Sequence, residues 1–151
     1  MAKFVYRMQN ILELKQKIEE QEKANFGMAT ARFNEEQQKL RELMIRQAGY
    51  ERQLRELSVG NIDVKEIKTC KNAISSMKVA LRDQMIELSK AQKAMENARK
   101  KLNDVMMERK MHEKLREHAF EDFISEMDYE ESKTTDELVS YSYFNSEKEG
   151  D

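Results

Sequence analysis

Few side chains in this 151-residue sequence could carry chemistry. Its two histidines, His112 and His118, stand six apart, whereas two ligands on one helical face want a spacing of three or four. The single cysteine, Cys70, has no second thiol for a disulfide or a metal pair. Glu130, Glu131, Asp136 and Glu137 gather carboxylates, but in a stretch so rich in acids they read as a solvated cluster. The basic runs Arg99-Lys100-Lys101 and Arg109-Lys110 alternate with acids and lack the interleaved aromatics of a single-strand nucleic-acid binder. No glycine-rich phosphate loop and no paired-cysteine metal spacing occurs. The residues therefore point to no catalytic, cofactor or metal site, and to neither nucleic acid nor a small-molecule substrate as a partner.

The elements that would position any site are long helices. The chain is 37% charged, has four glycines and lacks proline and tryptophan, a composition of rods rather than layered domains. Ile67, Cys70, Ile74, Met77, Leu81, Gln84, Leu88, Ala91, Met95, Ala98, Leu102 and Val105 form an unbroken ladder with alternating steps of three and four. Such a repeat, averaging 3.5 residues, keeps one stripe facing a partner helix. A second ladder precedes it: Phe4, Met8, Ile11, Lys15, Ile18, Glu22, Phe26, Ala29, Phe33, Glu36, Leu40, Leu43, Gln47, Tyr50, Leu54 and Leu57. Its one irregularity, Ile18 to Glu22 to Phe26, reads as a stutter near Asn25 and Gly27. Between the ladders, Ser58-Val59-Gly60-Asn61 is a turn, with Asn61 or Asp63 available to cap the second helix.

The expected fold is all-α: a long antiparallel two-helix coiled-coil hairpin with a helical or frayed acidic C-terminal extension. Residues 1–151 would form a single rod, with helix one over about 3–57, the turn at 58–62, helix two over about 63–130 and the acidic tail over about 131–151. Facing residue numbers should add to nearly 121, as Leu54 does with Ile67 and Phe33 with Leu88. That register sets Glu36 against Gln84 and Phe4 against Leu115–Arg116. Phe120, Phe123, Ile124 and Met127 then lack a helix-one partner; they fold back on the base or await another protein. Residues 120–151 carry eleven acids against two bases, −9, which leaves +7 on residues 1–119. No apolar run is long enough for a membrane span, and no apolar stretch follows Met1 to Phe4 as in a signal peptide.

Three stretches resemble the flagellar export protein FliJ family. They are residues 1–15 (Met-Ala-Lys-Phe-Val-Tyr-Arg-Met-Gln-Asn-Ile-Leu-Glu-Leu-Lys), residues 110–117 (Lys-Met-His-Glu-Lys-Leu-Arg-Glu), and the tail with Glu130–Glu137 and Tyr143-Phe144. The resemblance spans nearly the whole chain, although the middle is generic coiled coil. It implies a non-enzymatic cytoplasmic part of the bacterial type III export apparatus that builds the flagellum and serves motility, peripheral at the cytoplasmic face of the inner membrane. The family's coiled coil is similar to the central stalk of rotary ATPases. Its expected partners are the flagellar export ATPase hexamer, the cytoplasmic domain of the export gate membrane protein, and export chaperones. The ATPase-facing end would use Phe4, Tyr6, Arg7, Met107, Met111 and Leu115. The gate-facing surface, in the half near the turn, would use Leu43, Arg46, Tyr50, Met77, Ala80 and Gln84.

Two other readings remain open on the sequence: a structural coiled-coil scaffold that associates with copies of itself, and a basic rod on nucleic acid or membrane surfaces. A hairpin that satisfies its own seam should be a monomer when free, whereas a scaffold should not.

Overall fold

The computed structural model describes residues 2–150. Two helices account for nearly all of them, α1 (Gln9–Leu57) and α2 (Val64–Glu149), and no strand occurs among the described residues. They pack as a helical hairpin. The turn follows from local chemistry. Gly60 takes φ +82°, a left-handed conformation that costs other residues a Cβ clash. The Ser58 hydroxyl and amide both donate to the Leu54 carbonyl, closing the end of α1. Asp63 then caps α2: its Oδ1 accepts from the Lys65 amide at 3.0 Å, and its carbonyl accepts from Ile67.

The hairpin divides into two compact units, Glu19–Val105 and a second made of the residues up to Ile18 with those from Met106 onward. In the first, the ladder predicted for α2 faces inward throughout. Cys70, Ile74 and Ala91 are buried, and each of the other nine ladder residues is half-buried. Two cross-helix contacts show the antiparallel pairing. Cys70 Sγ donates to the Tyr50 carbonyl at 3.1 Å, and Gln84 Nε2 donates to the Glu36 carbonyl at 3.0 Å and to its carboxylate. The numbers of each pair add to 120, within one of the expected register.

The α1 stripe differs from its predicted course at the start. Leu12 is buried at 3% exposure, while neighbouring Ile11 is 41% exposed; Glu19 is buried, and Ile18 only half-buried. The stripe thus runs Leu12, Lys15, Glu19, Glu22, Phe26, with steps of three and four in strict alternation. No stutter is needed, because the seam accepts a carboxylate at Glu19. Lys23 lies 3.5 Å from that carboxylate and keeps it paired at the seam's edge.

In the second unit, three boundaries and contacts depart from expectation. α1 starts at Gln9 rather than about Lys3, because Phe4 leaves the helical path to pack on α2. Phe4 keeps the expected contact with Arg116 but also packs on Phe120 and Phe123, which the register had left without a partner. α2 does not end near 130 but continues to Glu149. No glycine or proline interrupts it before Gly150, and the hydroxyls of Thr134 and Thr135 fold onto the Glu130 and Glu131 carbonyls instead of breaking the helix. From Asp128 to Glu149 every side chain is exposed.

Candidate partner-docking surfaces

The residues whose types could carry chemistry are scattered along the two helices. Cys70 is a buried free thiol occupied by its bond to Tyr50. His118 Nδ1 lies 3.5 Å from the Glu121 carboxylate on an exposed turn. His112 is half-buried in the α1–α2 layer, its Nδ1 enclosed without a hydrogen-bond partner. Glu130, Glu131, Asp136 and Glu137 are all exposed. Among the described residues, no group of three or more His, Cys, Asp or Glu could hold a metal ion, and no helix is long and apolar enough to cross a membrane.

At the base, the start of α1 and the residues before it are tied to α2 mainly by polar and aromatic contacts. Lys15 Nζ meets Glu108 Oε2 at 2.7 Å, and this bond and charge hold the Glu108 carboxyl below its usual range. Arg109 pairs with Glu113 at 2.9 Å along α2. Arg116 Nε donates to Gln9 Oε1 at 3.0 Å, and its guanidinium carbon lies 5.9 Å from the centre of the Phe4 ring. That ring packs edge-on against Phe120, with centroids 5.1 Å apart, and tilted against Phe123 at 5.5 Å.

The six candidates for this end fall into two groups. Met107, Met111 and Leu115 recur every four residues along one face of α2 and are exposed, as is Arg7. Phe4 and Tyr6 are half-buried instead, Phe4 in the aromatic cluster and Tyr6 with its hydroxyl enclosed and unpartnered.

Of the candidates near the turn, Arg46 alone is exposed; Leu43, Tyr50, Met77, Ala80 and Gln84 are half-buried in or beside the seam. Gln84 is engaged with Glu36, whose carboxyl is held below its usual range chiefly by that hydrogen bond. The exposed apolar side chains of this half were not singled out from the sequence. Along the helices they include Met44, Ile45, Val79, Met85 and Ile86. Their signal was available: each is apolar yet falls off the ladder, so the hairpin has no use for it.

No curated protein and no solved structure matches the chain. A family model does, that of the flagellar FliJ protein, over residues 4–148. The match takes in both helices and the turn, and so rests on the whole hairpin rather than on one coiled-coil stretch. The chain therefore belongs to the FliJ family, and it is a component of flagellar protein export.

Proposed function

We propose that this chain is a non-enzymatic coupling stalk of the flagellar type III export apparatus. Its base docks in the export ATPase hexamer, its turn-proximal half contacts the cytoplasmic domain of the export gate, and it escorts export chaperones. It works in the cytoplasm, peripheral to the inner membrane. The observation that carries this reading is the exposed row of Met107, Met111 and Leu115 beside a seam the hairpin already satisfies. Methionines adapt to varied partner shapes, and a surplus apolar row on a charged helix marks a contact surface. Lys3, Arg7 and Lys110, all exposed, flank it and would steer it toward acidic loops. A catalyst would need an enclosed pocket, and the hollows along these helices, such as that between Tyr50 and Thr69, are largely open to solvent.

The test is stimulation of the purified export ATPase by the chain and by Met107→Glu with Met111→Glu. Loss of stimulation in a variant that stays helical supports the docking reading. Full stimulation removes the base from the ATPase interface.

A further inference from the structure

The N-terminal residues 2–8 are the one stretch outside the turn that is not helical among the described residues, apart from Gly150 at the other end. Nothing in their composition forbids a helix, since they contain neither glycine nor proline. Nor does a cap stop one. Met8 occupies the N-cap of α1, its carbonyl accepting from Ile11 and Leu12 at 3.1 Å, but its side chain offers no acceptor to the orphan amides. The first turn also lacks an acid. α2, by contrast, begins on the capping carboxylate of Asp63. The start of α1 is therefore set by where Phe4 is seated, against Phe120, Phe123 and Arg116.

The α1 stripe offers these residues a second place. Carried back from Leu12 by the same steps, it reaches Met8 and then Val5. In the seated arrangement these two face water, Val5 at 78% exposure and Met8 at 36%. A helical continuation would turn both into the seam and withdraw Phe4 from its seat. The seated form also encloses the Tyr6 hydroxyl without a partner, an unfavourable burial that the helical form need not keep. Each arrangement thus covers the apolar side chains that the other leaves out.

From this we infer that residues 2–8 are a two-state strap. In one state Phe4 covers the Phe120–Phe123 face of α2; in the other the segment extends α1 and leaves those rings open. The strap is a property of the chain by itself. That the opened rings join the ATPase-facing surface is the part that rests on the docking reading above.

Amide hydrogen exchange on the full chain tests the strap. Phe4→Ala empties the seat and favours helix, and Met8→Asp supplies the missing cap and fixes the helix start at residue 9. With Phe4→Ala, the Arg7 and Met8 amides gain helical bonds and exchange at least about fivefold more slowly than in the parent. Adding Met8→Asp abolishes that slowing while amides of α1 beyond Asn10 stay as protected as before. Unchanged or faster exchange at Arg7 and Met8 in Phe4→Ala, with α1 beyond Asn10 intact, overturns the two-state strap. ATPase stimulation by the Met8→Asp chain separates the two claims. Reduced stimulation supports the coupling of strap to docking; unchanged stimulation overturns that coupling, whatever the exchange data say of the strap.

Discussion

The register at the start of α1 can be tested with two neighbouring alanine substitutions, Leu12→Ala and Ile11→Ala. Leu12 is 3% exposed, so truncation removes about three buried carbons, worth roughly 0.8 kcal/mol each. In a narrow two-helix layer the void partly collapses, which keeps the total near the low end of core truncations, about 2–3 kcal/mol. Alanine's better helix propensity returns only about 0.2 kcal/mol. Ile11 is 41% exposed; it loses less burial on truncation and gains about 0.4 kcal/mol in propensity, leaving a net cost below about 1 kcal/mol. The assay is amide exchange over Glu13–Gln16, which reads opening of this end directly even where it opens before the rest. Leu12→Ala should speed exchange there about 30- to 150-fold, and Ile11→Ala by no more than about fivefold, at roughly tenfold per 1.4 kcal/mol. If Ile11→Ala is the costlier of the two, the stripe runs through Ile11 and Ile18, and the regular spacing through Glu19 is wrong.

Three further outcomes follow from other positions. Ala91, at 1% exposure the most enclosed side chain named in the seam, marks a close approach; Ala91→Leu should overpack it by about 1–3 kcal/mol. A melting temperature within about 1 °C of the exposed control Ala94→Leu would refute that close approach. Glu36 ionises below the ordinary carboxylate value of about 4.3 because Gln84 donates to it, so its contribution is present above that value and is lost as pH falls through the lowered one. Melting followed from about pH 6 to about pH 3 should therefore fall less steeply for Glu36→Gln than for the parent, and equal slopes would remove Glu36 from the account. Tyr50→Ala is expected to weaken binding to the export gate's cytoplasmic domain while the chain stays helical; unchanged binding with unchanged melting rejects the gate assignment.

What the sequence made legible, and what it did not, divides by how many solutions a stretch allowed. The Ile67–Val105 ladder had one reading, because its alternating steps of three and four run unbroken, whereas the apolar neighbours Val79, Met85 and Ile86 do not continue at that spacing. The place of the turn, at Gly60, had one reading too, while its cap had two, Asn61 or Asp63, of which α2 uses Asp63. Ile11 and Leu12, however, are adjacent apolar residues, and either continues a stripe. The choice depended on Glu19, a carboxylate that pattern alone assigns to solvent and that Lys23 keeps paired at the seam. The early end of α1 was illegible for a related reason: Phe4 and Met8 have helical spacing, and only the aromatic seat on α2, more than a hundred residues away, draws Phe4 aside. In the acidic tail a helical or a frayed extension was open, and the helix runs on because no residue before Gly150 stops the backbone. Four of the six docking candidates near the turn, Leu43, Tyr50, Met77 and Gln84, are ladder positions and therefore half-buried; Ala80, beside the ladder, is half-buried too, while the exposed Ile45, Val79 and Ile86 were passed over.

The short turn also dictates an order of assembly. The bond between Tyr50 and Cys70 closes a loop of 20 residues, that between Glu36 and Gln84 one of 48, that between Lys15 and Glu108 one of 93, and that between Gln9 and Arg116 one of 107. Closing the longest of these first would be slow and entropically costly, but once the pair nearest the turn has formed, each later one need only bring in the next few residues. Folding is thus expected to run as a zipper from Gly60 outward, quick because every step is local, with unfolding retracing it from the free ends. The base joins last and parts first. A protein that holds the base shut would then act on the shortest-lived part of the hairpin, and would lengthen the lifetime of the whole without touching the turn.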